Sequence, residues 1–206
     1  NAEGVAIFDG SGKTLLSQAY QFPKTTLADV NGDGREDVIV YYLGNVGYSV
    51  DVIINGQVST LAQTLSIGNP ARVVVISFAA GPEIVLGDTG GNLLSLGLDG
   101  QPLWNYTVGS EEIRGRDDAL IGGKSFLAVA SHDGSLAVLD GEGKTVWKTS
   151  QEQMRRMRAF DLNSDGNSEI ITGGEYGALV VYNATNGSNY HSESIGQPVS
   201  EVRIVE

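Results

Sequence analysis

The chain has 206 residues, with 25 Asp and Glu against 13 Lys and Arg and a formal net charge of −12. That balance argues against nucleic acid and against an anionic membrane surface, both of which select a basic face. Cysteine is absent, which excludes disulfides and thiolate metal sites, and His132 and His191 are too few for a histidine-rich zinc centre. No apolar run approaches the roughly 20 residues that span a bilayer, so this segment is not expected to insert directly into a membrane.

A segment of similar pattern recurs five times: GVAIFDGSGKTLL from Gly4, GYSVDVIINGQVST from Gly47, GNLLSLGLDGQPLW from Gly91, GSLAVLDGEGKTVW from Gly134 and GALVVYNATNGSNY from Gly177. The interval is 43 or 44 residues each time. A period of about 40 to 50 residues made of short strands is the mark of a β-propeller, one blade per repeat. The chain opens on two strands within 4–20, read as the outer half of a split blade spanning 1–23. A four-strand unit follows over 25–66: TTLADV, EDVIVYY, YSVDVII and QVSTLAQT. The next, 70–110, contains RVVVISF, PEIVLGD, NLLSLGL and PLWNYTV. In 115–153 the strands are DDALIGG, KSFLAVAS, SLAVLD and KTVWKTS, and in 157–196 they are MRAFDL, EIITGG, ALVVYN and NYHSES. The chain ends on VSEVRIVE, a first strand placed at 199–206.

These runs are rich in Val, Ile, Leu and Tyr and are bounded by Gly, Asn, Asp and Ser, as short strands require. The inner ones are nearly continuously apolar, which predicts burial on both faces. Only SQEQMRRMRAF, 150–160, suits a helix, and the register of the repeat assigns its end to a first strand. The fold class expected is all-β: a single propeller domain over 1–206, with four complete four-stranded antiparallel blades and a split terminal one. Two closures fit the sequence, a five-bladed ring sealed by pairing the termini and a piece of a larger propeller. The non-Met start at Asn1 fits a processed product or a piece of something longer, and the end in mid-blade favours the piece.

Between first and second strands, two loops share the form D-x-N-x-D-G-x-x-D/E. One carries Asp29, Asn31, Asp33, Arg35 and Asp37; the other carries Asp161, Asn163, Asp165, Asn167 and Glu169. Oxygen-bearing side chains at alternate positions face inward when such a loop curls. The glycine after the fifth position permits the bend, and the seventh residue (Arg35 or Asn167) offers its backbone carbonyl. A hard cation with six to eight oxygens suits this set, hence two Ca²⁺ sites. Both loops lead into strands after nine residues, so neither is an EF-hand. The alternative is a pair of ion-free Asp/Asn/Gly turns. The matching loops FAAGPE and IGGK lack the acids, so calcium would serve individual blades.

Loops of this form resemble the FG-GAP repeats of integrin α-subunit propellers and related VCBS-type repeats. The outer blade halves are similar to pyrroloquinoline-quinone-type propeller repeats, with the pattern A-x-D-x-x-T-G-x-x-x-W. Ala137, Asp140, Gly143 and Trp147 fit with one residue missing, and Asp99, Gly100 and Trp104 fit in part. Leu16, Thr60 and His191 stand at the tryptophan place elsewhere. The tryptophans are expected to pack between blades.

No nucleophile elbow, Walker loop, HExxH or dinucleotide fingerprint occurs. Arg114 and Arg116 beside Asp117 and Asp118 read as a surface ion-pair cluster, and Arg155, Arg156 and Arg158 as a basic knot, a solvated loop before a contact for an acidic partner. Sequons at Asn105, Asn183 and Asn186 would accept glycans only in a secretory or cell-surface setting, with Asn183 and Asn186 accessible in a turn. The expected function is a non-enzymatic, calcium-binding propeller contacting protein partners in a larger surface or secreted assembly. A lectin-like propeller with Tyr106, Tyr176 and Tyr190 as glycan platforms is the second class, and an enzyme's propeller domain the third.

Overall fold

The computed structural model describes residues 3–204; Asn1 at one end and the last two residues of VSEVRIVE lie outside the described residues. All regular structure is antiparallel sheet. The first sheet joins β1 (Glu3–Phe8), β2 (Thr14–Ala28), β3 (Asp37–Gly44), β4 (Gly47–Ile54) and β5 (Gln57–Leu65). The second contains β6 (Pro70–Phe78), β7 (Gly81–Asp88), β8 (Asn92–Leu96) and β9 (Pro102–Thr107), and the third β10 (Ile113–Ile121), β11 (Lys124–Ser131), β12 (Ser135–Leu139) and β13 (Thr145–Ser150). The fourth runs through β14 (Met154–Phe160), β15 (Glu169–Gly174), β16 (Ala178–Asn183) and β17 (Asn189–Ser194). Each is a meander in which strands adjacent in sequence are hydrogen-bonded. The stretch suited to a helix is strand β14. No helix long and apolar enough to cross a membrane occurs among the described residues.

Successive side chains of a strand point to opposite faces, and here each face meets a different sheet. On β7, Ile84 and Leu86 pack toward the first sheet, while Val85 packs toward the third. On β11, Leu127 and Val129 face the second sheet, and Ala128 and Ala130 face the fourth. β12 continues the rule, with Ala137 and Leu139 on one side and Leu136 and Val138 on the other. Middle strands therefore bury side chains on both faces along most of their length, which is why their sequences lose the apolar–polar alternation. The outermost strands β9 and β13 alternate exposed and half-buried positions.

The outer halves interlock by a repeated contact. Gly143 has φ +72°, and a Cβ there would stand 2.7 Å from the Trp104 ring of the preceding sheet. Gly187 (φ +72°) has the same relation to Trp147 at 2.7 Å. The indole of Trp147 donates to the Ala184 carbonyl at 2.6 Å, and that of Trp104 to Glu83 Oε2 at 2.9 Å. Both tryptophans thus pack between sheets. Four-stranded sheets stacked face to face in chain order, with their first strands β2, β6, β10 and β14 side by side, make a β-propeller arrangement.

Two details at the ends differ from the sequence reading. Residues 14–20 and the first strand of the 25–66 unit are one strand, β2. Its first part pairs with β1 and its second with β3, across a register shift between Gln21 and Lys24. Phe22 takes φ 52° in that bulge, which leaves Pro23, with no N–H to give, outside the ladder. At the other end, 199–204 forms no strand, and among the described residues nothing pairs it with β1. Val199 still docks: its N–H donates to the Gly174 carbonyl at 3.0 Å, and its side chain lies 2.4 Å from where a Gly173 Cβ would be. Ile113 covers Gly87 in the same way at 3.1 Å, so the tail enters where a first strand would.

The sheets also approach closely at Gly115, where a Cβ would lie 2.7 Å from Met157 Cβ. Gly115→Val should lose about 1–3 kcal/mol of stability from overpacking. Gly10→Ala, with nothing within 4 Å, should change it by less than about 0.5 kcal/mol. Urea unfolding followed by tryptophan fluorescence checks both.

Candidate functional site

Both acidic loops connect the first strand of a sheet to the second, between β2 and β3 and between β14 and β15. In the first, Asp29 Oδ1 accepts from the Gly32 and Asp33 amides at 2.7 and 3.2 Å, and its Oδ2 from the Gly34 amide at 2.8 Å. Asn31 Oδ1 takes the Asp33 amide at 2.8 Å, and Asp33 Oδ1 takes the Arg35 amide at 2.9 Å. Asp37 is buried at the loop's end and accepts from the Val30 amide at 3.3 Å. The loop is curled on itself, with its first and last carboxylates both holding its backbone.

The second loop repeats this geometry. Asp161 accepts from the Asp165 and Gly166 amides at 3.1 and 2.9 Å, Asn163 from the Asp165 amide at 2.9 Å, and Asp165 from the Asn167 amide at 2.8 Å. Glu169, fully buried, accepts from the Leu162 amide at 2.9 Å and from Asn163 Nδ2 at 3.3 Å. Unlike the first loop, it is bolted to the neighbouring sheet. Asn167 Oδ1 receives the Gly122 amide at 2.8 Å, and Ser168 exchanges bonds with Leu120. Sequence reading assigned Asn167 a backbone role; its side chain is also an inter-sheet clamp.

Hydrogen bonding and burial separate these acids. The Gly34 amide leads in holding Asp29 below its ordinary pKa, and the Asn167 amide does so for Asp165. Burial raises Glu169, helped by the charges of Asp165 and Asp161. Among the described residues, no three His, Cys, Asp or Glu side chains are grouped as a set able to hold a metal. The donors fit a hard cation in kind, order and curled path. A carboxylate has about four lone-pair sites and can hold an amide and a cation together, but the loop acids are turned toward backbone amides.

The structure also assembles groups that sequence reading did not single out. Asp51, buried, accepts from the hydroxyls of Tyr20 at 3.2 Å and Tyr42 at 3.1 Å, whose rings meet edge-on 4.7 Å apart. Burial and the Asp51 charge push Tyr42 up to about 12. An open pocket of about 520 Å³ lies beside this cluster, lined by Tyr20, Tyr42 and Ser49. Only strand pairing brings these residues together; their spacing carries no motif. One basic run is corrected: Arg155, Arg156 and Arg158 are in strand β14 and not in a solvated loop, and Arg155 Nη1 donates to both carboxylate oxygens of Glu175 at 2.8 and 3.0 Å.

Of the tyrosines proposed as platforms, Tyr176 is 68% and Tyr190 60% exposed. Tyr106 packs against the core between the second and third sheets, with its hydroxyl accepting from Thr145 at 3.0 Å. Asn105 and Asn186 are exposed, whereas Asn183 is half-buried and engaged by the Thr185 amide at 2.9 Å. Asn183 is therefore less accessible than its sequence position suggests.

No described protein family and no curated protein matches the sequence. Solved structures match the fold. BBS1N, crystallised in complex with ARL6DN, superposes with a TM-score of 0.71 at 12% identity, covering 97% of this chain and 63% of that one. Sqt1 of Saccharomyces cerevisiae gives 0.68 at 14% identity, with 95% and 57% covered. BamB from Moraxella catarrhalis gives 0.60 at 15% identity, with 96% and 62% covered. The fold is a β-propeller. The chain spans about three fifths of the length of these structures.

Glu169 supplies a test of the second loop. With its folded pKa raised, it binds a proton more tightly folded than unfolded, so stability should fall as pH rises from its ordinary value of 4.5 through the folded pKa. In calcium-free buffer, Glu169→Gln should remove that decline from the pH dependence of urea midpoints. An unchanged profile would locate the titration elsewhere.

Proposed function

We infer that the protein is a non-enzymatic propeller that presents loops for contact with a protein partner in a larger assembly. The observation that carries this reading is the superposition on BBS1N, which was solved in complex with ARL6DN, over 97% of the present chain. The architecture supports it physically. Sheets buried on both faces make a rigid frame, and the connections between strands are left free to vary at the surface. Exposed apolar side chains at those connections and edges, among them Val46, Leu162 and Tyr176, are available to a partner.

Calcium binding by the two acidic loops belongs to the same proposal. The resemblance to FG-GAP repeats, the twice-repeated donor order and the curled path support it. Asp29, Asn31, Asp33 and Asp37, with the Arg35 carbonyl, would hold one ion; Asp161, Asn163, Asp165 and Glu169, with the Asn167 carbonyl, would hold the other. Bound calcium would neutralise carboxylates that otherwise repel one another and would set the loop shape a partner meets. An extracellular or cell-surface setting agrees with that chemistry and with the exposed Asn105 and Asn186 sequons. A lectin reading rests on the exposed rings of Tyr176 and Tyr190.

Amide hydrogen exchange with and without a candidate partner tests the scaffold: protection should map to inter-strand loops of adjacent sheets, and a glycan-array signal lost in Tyr176→Ala would point to the lectin instead. Thermal melting tests the ion. Adding about 1 mM Ca²⁺ over EDTA should raise the midpoint, since a ligand confined to the folded state stabilises it. Asp33→Ala and Asp165→Ala should each remove part of the rise; an equal melt in both buffers rejects both ion sites.

A further inference from the structure

The charge of this chain is divided by position in the sheets. The first strands β2, β6, β10 and β14 carry seven of the 13 Lys and Arg but only two of the 25 Asp and Glu. These strands pack side by side, so the division concentrates positive charge along one edge of an acidic molecule. The densest part lies between β6 and β10. Arg72 and Arg116 both line a narrow gap of about 10 Å³ there, too small to enclose an anion, and Arg72 Nε donates to the Arg114 carbonyl at 3.3 Å. Arg156 and Arg158 follow, exposed, on β14.

Acids offset this charge only in part: Asp117 lies near Arg116, and Glu201 near Arg156 and Arg158. Glu112 is divided between two guanidinia, 3.6 Å from Arg72 and 3.0 Å from Arg114. Although that second contact is short, its direction is wrong for a hydrogen bond, and Nε of Arg114 and of Arg116 are both buried donors with no acceptor. Burial leads in lowering the Arg72 pKa, and the charges of Arg116, Arg114 and Arg156 lower it further against the pull of Glu112. Like-charged side chains packed this way repel unless an anion lies among them, and buried donors are costly to leave unpaired.

We propose that Arg72, Arg114 and Arg116, with Arg156 and Arg158 beside them, form a binding site for a small multivalent oxyanion along the first-strand edge of the sheets. The planar guanidinium fork matches the oxygen spacing of phosphate-type anions, and charge assistance makes such bonds strong. A small anion is favoured over an acidic chain because the Arg72, Arg114 and Arg116 side chains are half-buried between neighbouring strands. Neither the calcium sites nor the scaffold reading is needed for this site.

Isothermal titration calorimetry of the full chain with inorganic pyrophosphate tests it, in EDTA so that chelation of calcium plays no part. Saturable binding at one site that weakens with added salt is expected, on a protein whose net charge would otherwise repel the ligand. The Arg72→Gln/Arg116→Gln pair should weaken binding roughly tenfold or more. Arg158→Gln, exposed and free of packing constraints, should weaken it by a smaller factor with no change in the melt. The pair Lys144→Gln/Lys148→Gln removes the same charge at the opposite edge of the third sheet, by β13, and should leave affinity intact. No saturable binding, or an equal loss in the lysine pair, overturns the proposal. Tighter binding of a hexaglutamate peptide than of pyrophosphate also overturns it, by assigning the edge to an acidic chain.

Discussion

Burial of both faces of the middle strands is the constraint on which the molecule depends. β7, β8, β11 and β12 each send alternate side chains to the sheet before and the sheet after, so none of the interior sheets has a solvent face. Large and small residues are complementary across these gaps. Ala128 and Ala130 make room for Met157, and glycines at 87, 115 and 173 admit Ile113, Met157 and Val199. Because each sheet packs mainly against its neighbours in sequence, stability accumulates by stacking, and each blade depends on the next.

That stacking also explains where the chemistry sits. Core positions are spent on packing, so polar function is confined to strand connections and strand edges. The acidic loops occupy one such connection in the first and fourth sheets, and the second of them is tied by Asn167 and Ser168 to the adjacent blade. Any change of shape in that loop would be felt across a blade boundary. The arginines occupy the edge where first strands meet, where a long side chain can leave the sheet without opening a gap in the core.

The two acidic loops show how a short motif can encode a local fold without its ligand. Each carboxylate accepts amide hydrogens from the turn it closes, so the curl is supported by hydrogen bonds alone. Cation binding would then compete with, or be added to, those bonds. Glu169 feels this most, because it is fully buried with two other carboxylates nearby, while Asp29 and Asp165 remain exposed and well supplied with donors.

Strand positions were legible from the sequence because a fixed interval aligned the apolar runs, and a first-strand register outweighed the helical character of SQEQMRRMRAF. The acidic loops were legible because their donors are neighbours in the chain. The Asp51 cluster was not, since Tyr20 reaches Asp51 only after β2, β3 and β4 pair, and β2's continuity through Phe22 depends on a bulge that no local signal marks. The arginines were misread for the same reason: four of the five lie in runs that resemble solvated charge. Periodicity, hence the propeller, is a property of sequence spacing and was set by the chain itself. Which charges face one another depends on the side-by-side packing of strands more than 40 residues apart, and only the tertiary structure decided that.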